Sequence, residues 1–288
     1  MTSIPETHSV YRLTARTSYH DLKLFTEPVP KPLAHEVLIK IKGIALNYRD
    51  FAISNSTYPF SAKDNLVPCS DGAGEVVAIG SSISEFQVGD SVIGSFDLKH
   101  LYGPRLHRNQ SQGATYDGVL REYITLPEYS VTKIPKGSDL SWAEMASLVC
   151  AGVTAWNALF GNIPMRPGQT VLFQGRISLE WLFGSLRLIK VTGTGGVSLV
   201  GLVLARAAGA ITIITSSSDE KLEFVKGKYG VDYVINYKKN SQLGRGSIKV
   251  DWRTWRRLRF RKWGLRHNQA EPRVHRERGN CGAHWILV

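Results

Sequence analysis

Residues 193–215 read GTGGVSLVGLVLARAAGAITIIT. A turn built from Gly193, Thr194, Gly195, Gly196, Val197 and Ser198 opens into Ser198–Ala208, whose small residues suit a helix lying close on a sheet. An all-apolar strand, Ile211–Thr215, follows. Where a strand feeds such a turn into a helix, the first N–H groups and the helix dipole face an incoming pyrophosphate, and small residues let it approach. Glycine-rich turns alone occur in many unrelated loops; the helix and apolar strand behind this one give it weight.

Downstream, Ser217-Ser-Asp-Glu220 reads as the cap of a helix running through Tyr229, and Tyr233-Val-Ile235 as a third strand. Upstream, the turn Gly168-Gln-Thr170 leads into Val171-Leu-Phe173, an apolar strand of the kind found in a parallel sheet covered on both faces. Strand–helix–strand–helix–strand is half of a doubly wound nucleotide fold. The first strand ends near Gly175, however, and the turn begins at Gly193. Between them stands RISLEWLFGSLRLIKVTG, residues 176–193. Without those residues VLFQG joins TGGVSLVGLVLARAAGA as an uninterrupted strand–turn–helix. Leu186–Val191 is an alternative strand, but it would carry Lys190 into a buried sheet, which is costly for an unpaired charge. Val171–Phe173 is therefore the expected strand. The clean ends and lack of fit of 176–193 read as an unspliced segment of the gene; a tolerated surface loop is the bland alternative.

The first half of the chain has a different rhythm. In HEVLIKIKGIALN (His35–Asn47), Val37, Ile39 and Ile41 alternate with Leu38, Lys40 and Lys42, and Gly72–Gly80, Gly89–Gly94 and Leu120–Thr125 are further short strands between glycine and proline turns. A β-rich domain or partial barrel is expected over 1–137. Ser141-Trp-Ala-Glu144 has the spacing of a capping box and opens a helix towards Cys150, the start of a second domain over 138–240.

These segments carry a resemblance. Leu46-Asn-Tyr-Arg-Asp50, Val67-Pro-Cys-Ser-Asp-Gly-Ala-Gly-Glu-Val76, Cys150-Ala-Gly-Val-Thr-Ala-Trp-Asn-Ala-Leu-Phe160, Thr194-Gly-Gly-Val-Ser198 and Thr215-Ser-Ser-Ser-Asp-Glu-Lys-Leu222 resemble the zinc-free, alcohol dehydrogenase-like and quinone oxidoreductase-like branch of the medium-chain dehydrogenase/reductase superfamily. The match runs in order over about 10–175 and 194–240. It implies α/β plus β architecture: a GroES-like catalytic domain followed by a Rossmann domain, here incomplete. The implied activity is hydride transfer from a nicotinamide cofactor to a carbonyl, quinone or activated alkene. It also implies a homodimer whose pairing strands lie past residue 240, a region that here departs from the family.

Zinc members of the superfamily hold a catalytic metal with a Cys, a His-Glu pair and a second Cys. Asn47 and Ser70-Asp71 stand at the places of the first ligands, and of the set only Cys150 remains. The loop 99–118 has no cysteine, so the structural-zinc lobe is missing too. One thiol cannot build a tetrahedral site, and no metal is expected. Cys69 and Cys150 then read as small buried hydrophobes. Without zinc the resemblance places Asn47 and Tyr48 near the nicotinamide as donors to the substrate oxygen, with Asp50 as a further catalytic candidate. Arg49 and Asp50 have the alternative of a structural ion pair. Thr154 stands where the family packs a threonine on the nicotinamide; the alternative is a helix-interior threonine bonded to its own backbone. The cofactor candidates are Thr154, Gly193, Thr194, Gly195, Gly196, Val197, Ser216, Ser217 and Lys221. No carboxylate closes the strand Ile211–Thr215, and hydroxyls with an ammonium suit a 2′-phosphate, so NADPH is the expected cofactor. Ser217 has the alternative of a simple helix cap.

Composition bounds the rest. Residues 241–288 hold 12 of the 36 Lys and Arg but 3 of the 24 Asp and Glu, a net +9, which leaves +3 for the body. Four of the seven tryptophans, Trp252, Trp255, Trp263 and Trp285, also fall there without helical or strand period. Such Arg/Trp enrichment reads as a shifted reading frame, and the tail is expected to be disordered or ill-packed. The rival is a non-catalytic protein whose tail binds nucleic acid through Arg–phosphate contacts and Trp stacking, but no binding motif accompanies the charge. Three scattered cysteines form neither a disulfide framework nor a metal clip. No signal pattern and no membrane-spanning stretch is read, so the expected address is cytoplasmic and the expected partner a small-molecule substrate.

Overall fold

A computed structural model describes residues 3–100, 110–161, 164–173, 195–239 and 286–287. The chain divides into two compact units, Met1–Thr154 and Ala155–Val288.

The first unit is built on an antiparallel sheet of order β6-β3-β4-β5-β7: β3 (Glu36–Ala45), β4 (Asp71–Ile79), β5 (Ser91–Gly94), β6 (Tyr123–Pro127) and β7 (Val131–Lys133). Its core is the apolar set the alternation selects, with Val37, Ile39, Val76, Val92, Ile124, Leu126 and Val131 buried together. Irregularities in β3 at Leu38/Ile39 and Ile41/Gly43 bend the strand. A hairpin of β1 (Thr7–Leu13) and β2 (Leu22–Pro28) forms a separate two-stranded sheet, and α1 (Tyr48–Ser54) follows β3. This is the β-rich, GroES-like architecture expected.

The first unit runs past the expected boundary at 137. The reason is packing. The capping box at Ser141 forms, with Ser141 N–H donating to Glu144 at 2.9 Å and Glu144 N–H to the Ser141 hydroxyl at 3.3 Å. The helix it opens, α2 (Trp142–Ser147), buries Met145 and Ala146 against Ala73 and Ile134 of the first unit. A π-helical turn, Leu148–Gly152, then leads into α3 (Val153–Phe160). Together Trp142–Phe160 form a helical run that is, by length and composition, long and apolar enough to cross a membrane, contrary to the sequence reading. Its two ends belong to two protein cores: Met145 and Ala146 to the first unit's, Leu159 to the second's.

The second unit carries a parallel sheet of order β10-β9-β8-β11: β8 (Thr170–Phe173), β9 (Ile211–Ser216), β10 (Tyr233–Asn236) and β11 (Ile286–Leu287). Helices α4 (Gly196–Ala207) and α5 (Asp219–Tyr229) connect β8 to β9 and β9 to β10. Val171, Phe173, Ile214, Leu202, Ala205, Leu222 and Val225 form one core, as the doubly wound reading requires. Thr170–Phe173 is the strand that pairs with β9; the alternative at 186–191, and the whole of 176–193, lie outside the described residues. The tail expectation lies outside the described residues except at Ile286 and Leu287, which pair in parallel with Val171 and Leu172.

Candidate active site

Three segments distant in sequence meet in the first unit: the start of α1, residues 69–71 leading into β4, and the π turn holding Cys150. Asp50 sits at the third position of α1 and accepts from the Asn47 N–H at 2.8 Å, which fixes the helix start. Its other oxygen, Oδ1, is buried without a hydrogen-bond partner, 3.8 Å from Arg49 Nη1. Burial pushes this carboxyl up to about 6; the Asn47 N–H and Arg49 oppose the rise and Asp71 adds to it.

Arg49 is 9% exposed. Its guanidinium donates to the Gln112 carbonyl and to Ser111 Oγ, each at 3.0 Å, and lies over the rings of Phe96 at 4.7 Å and Tyr58 at 5.5 Å. The alternative reading of Arg49 and Asp50 as an internal ion pair is thus realised.

Asp71 accepts from the Ser70 hydroxyl at 2.5 Å and from the Cys150 N–H at 3.0 Å. The second bond is made within the π turn Leu148–Gly152, where the helical ladder departs from its ordinary register. Burial raises the Asp71 carboxyl, against the pull of Ser70, Asn47, Cys150 and Arg49. The Asn47 amide is near enough to favour the Asp71 charge but outside hydrogen-bond geometry, and its Nδ2 is buried without a partner. Buried donors are rarely left so, and a ligand oxygen would satisfy this one. Cys150 is pushed up to about 11 by burial first and by Asp71 next, with Arg49 and the Thr154 hydroxyl opposing the rise. Burial also raises Cys69. Both thiols are protonated at neutral pH.

Tyr48 is not brought into this cluster. The residue is 70% exposed and its ring stands 6.1 Å from that of Phe51. Thr154, half-buried on α3, is near enough to Cys150 to pull its thiol pKa down. Sequence reading noticed Ser70 and Asp71 only as departures from a ligand set and gave Arg49 no role in a cluster. Among the described residues no group of three His, Cys, Asp or Glu is placed to hold a metal ion. The donor set does not fit zinc either: of the positions matching the ligand set only Cys150 is a thiol, and Asp71 has both oxygens engaged by the Ser70 hydroxyl and the Cys150 N–H.

Asp50 gives a pH signature. Its folded pKa lies above the unfolded 3.8, so its contribution to stability is complete below pH about 4 and lost as pH rises through about 6. Asp50→Asn removes that dependence. Denaturant titrations should show the variant gaining on the wild type between pH 4 and 7, by at most roughly 3 kcal/mol. Parallel curves would contradict the burial of a strained carboxylate.

In the second unit, Gly195 precedes the first turn of α4, which Gly196 and Val197 begin; Gly193 and Thr194 lie outside the described residues. The first N–H groups of any helix lack intrahelical acceptors. Ser198, in the place of a third glycine, is fully buried and its hydroxyl is unpartnered, so a small side chain is required there. Ser216 ends β9, buried, and accepts from the Ser218 N–H at 3.3 Å. The helix cap is Ser218, not Ser217: its hydroxyl accepts from the Lys221 N–H at 3.3 Å. β9 runs on to Ser216, and α5 begins one residue later than the sequence suggested. The Ser217 carbonyl instead accepts from Asn236 at 3.5 Å. Lys221 is exposed one turn along. The carboxylate nearest the strand end, Asp219, is bonded to Asn236 at 2.6 Å and to Lys239 at 2.5 Å, and these partners hold its pKa low.

Residues 33–136 match the alcohol dehydrogenase GroES-like domain. A zinc-type alcohol dehydrogenase-like protein of Schizosaccharomyces pombe is 40% identical over 239 residues, covering 81% of this chain and 63% of the relative. An alcohol dehydrogenase of Geobacillus stearothermophilus is 30% identical over 73% of this chain and 58% of its own length. Among solved structures, a putative alcohol dehydrogenase from Sinorhizobium meliloti matches with a TM-score of 0.70 and 34% identity, covering 82% of this chain and 64% of that one. The chain thus spans less than two thirds of the length of these relatives. A GroES-like sheet, a partial doubly wound unit and this set of relatives lead to one assignment: residues 33–136 are an alcohol dehydrogenase GroES-like domain, and the chain as a whole is similar to alcohol dehydrogenases of the medium-chain dehydrogenase/reductase type.

Proposed function

We propose that this is a zinc-independent, NADPH-dependent oxidoreductase that transfers hydride to a carbonyl, quinone or activated alkene, and that the 288-residue chain is impaired. The observation that carries the chemistry is the buried, unpartnered Nδ2 of Asn47 beside Asp71. Such a donor suits an oxygen on which charge develops, because it is already desolvated and fixed. Bound nicotinamide would supply the hydride. Asn47 would hold the acceptor oxygen, Tyr48 would offer a second hydroxyl donor, and Asp50 would keep the Asn47 backbone in place. Thr154 would pack against the cofactor. Gly193, Thr194, Gly195, Gly196 and Val197 would face the pyrophosphate.

NADPH is favoured over NADH because the first carboxylate after β9 in sequence, Asp219, is engaged by Asn236 and Lys239. Ser216, Ser217 and Lys221 are left to meet a 2′-phosphate. Impairment is favoured because residues 176–193 stand between β8 and the turn that should follow it directly. With 176–193 removed, so that Gly175 stands in the place of Gly193, the expected result is tighter binding of NADPH than NADH by nucleotide fluorescence, with Lys221→Glu reducing the preference several-fold. Equal binding of the two nucleotides, or no effect of Lys221→Glu, would overturn the cofactor assignment.

A further inference from the structure

The hairpin of the first unit leaves one sheet edge open. In β1 the backbone groups of Ser9, Tyr11 and Leu13 face away from β2. The Tyr11 N–H donates to the Leu120 carbonyl at 3.0 Å and the Leu13 N–H to that of Leu66 at 2.8 Å, while the Ser9 carbonyl accepts from the Glu122 N–H at 3.1 Å. The alternation of an antiparallel ladder then turns the backbone groups of Lys23, Phe25 and Glu27 towards β1, opposite Arg12, Val10 and His8. Those of Leu24 and Thr26 point outwards. Among the described residues β1 is the only strand paired with β2. The edge is also apolar, with Leu24 58% and Phe25 40% exposed, and an open apolar edge is a template for another strand. We propose that this edge is an interaction surface whose occupant is a second copy of this chain, its β2 added antiparallel about a two-fold axis at Phe25.

Charge and hydrogen bonding select both the occupant and the register. With Phe25 opposite Phe25, Leu24 of each copy stands opposite Thr26 of the other, and every outward N–H of these residues meets a carbonyl. Lys23 of each copy stands opposite Glu27 of the other, at non-hydrogen-bonded positions where facing side chains come closest. Lys23 is exposed. Glu27 is held by Arg12 Nε at 2.5 Å and Nη2 at 2.9 Å, yet 30% of its side chain stays exposed. A carboxylate has about four acceptor sites, and Arg12 leaves room for an ammonium. Other registers lose both terms. A slide one way sets Lys23 against Phe25 and brings up Leu22, whose N–H is already given to the Tyr19 carbonyl. A slide the other way sets Phe25 against Glu27 and brings up Pro28, which has no N–H. A lone lysine on an edge strand ordinarily deters pairing; here it deters every register except the one that faces Glu27. The ladder is short, so the dimer is expected to be weak and reversible. It is independent of the hydride-transfer reading, which stands or falls on other residues.

The test is sedimentation velocity of the full chain over a dilution series, with disulfide trapping to read the register. The wild type is expected to pass reversibly from monomer to dimer as its concentration rises. Lys23→Glu sets like charges opposite one another, and Thr26→Pro removes an N–H that points away from β1. Each is expected to weaken the dimer several-fold while leaving the melting temperature unchanged. Phe25→Cys is expected to give a covalent dimer on mild oxidation, because facing Cα atoms at such a position lie about 4.5 Å apart, within disulfide reach. Leu24→Cys, offset from its own copy, is expected to cross-link no more than the wild type. Selective trapping at residue 25 supports the register even where the free dimer is too weak to sediment. No dimer together with no trapping by Phe25→Cys would overturn the proposal, as would equal trapping at residues 24 and 25. So would a dimer undiminished by Lys23→Glu, which another surface must hold; that comparison stands even if Thr26→Pro fails to fold.

Discussion

Gly118→Ala is expected to destabilise the first unit by about 3 kcal/mol or more. Residues 118–120 lie along residues 67–69: the N–H groups of Gly118, Val119 and Leu120 donate to the carbonyls of Val67, Cys69 and Pro68 at 2.6, 2.9 and 3.2 Å. A Cβ on Gly118 would stand 1.8 Å from the Cys69 carbonyl oxygen and 2.5 Å from that of Pro68. Both neighbours are backbone, so no rotamer change relieves the clash; the two segments must part and their hydrogen bonds lengthen. The displaced residues lead directly into Ser70 and Asp71, so the damage reaches the candidate site. Cys69 already carries a left-handed backbone, φ 68°, which leaves no slack. Gly137→Ala is the control. Gly137 also has positive φ, 80°, but nothing lies within 4 Å of the added carbon, so its cost should stay near the ~1 kcal/mol of left-handed strain. Urea denaturation of the two variants separates steric from conformational cost, and equal effects would contradict the packing described.

Arg49→Met is the second large effect. Methionine can occupy the slot between Phe96 and Tyr58, so the loss is chiefly electrostatic. Removing one member of a buried pair leaves the other charge uncompensated and typically costs about 3–5 kcal/mol. Here Asp50 can escape by taking up a proton. The cost at pH 7.5 should therefore exceed the cost at pH 5, because Asp50, already raised to about 6, rises further without its guanidinium. Denaturation at the two pH values is the check. A variant as stable as the wild type at both would mean that Arg49 is a solvated side chain, contrary to its burial.

Much of the fold was legible in the sequence because its signals are local. Alternation marked β3, the Ser141–Glu144 spacing marked the start of α2, and the run of apolar residues marked β8. What escaped depended on contacts far along the chain. Arg49 is buried by partners some sixty residues away, Ser111 and Gln112, and nothing within LNYRD announces that. The π turn lies in LVCAG, an apolar stretch that would fit an ordinary helix equally well. The first unit extends to Thr154 because α2 packs back on Ala73 and Ile134, which its own sequence does not state. Ser217 and Ser218 are chemically identical candidates for a cap, and only the length of β9 chooses between them. The pairing of Ile286 and Leu287 with β8 is a long-range event that no composition rule anticipates.

The candidate residues were legible in part. Asn47 and Asp50 do meet at the start of α1, whereas Tyr48 stands outside the cluster and Asp71 stands within it.

The most direct measurement is a fluorescence titration of NADPH into two proteins side by side, the 288-residue chain and the same chain without residues 176–193. The account predicts no saturable binding by the first and micromolar binding by the second, since only there does β8 run straight into the glycine turn. Micromolar binding by the unmodified chain, or none by either, would contradict it.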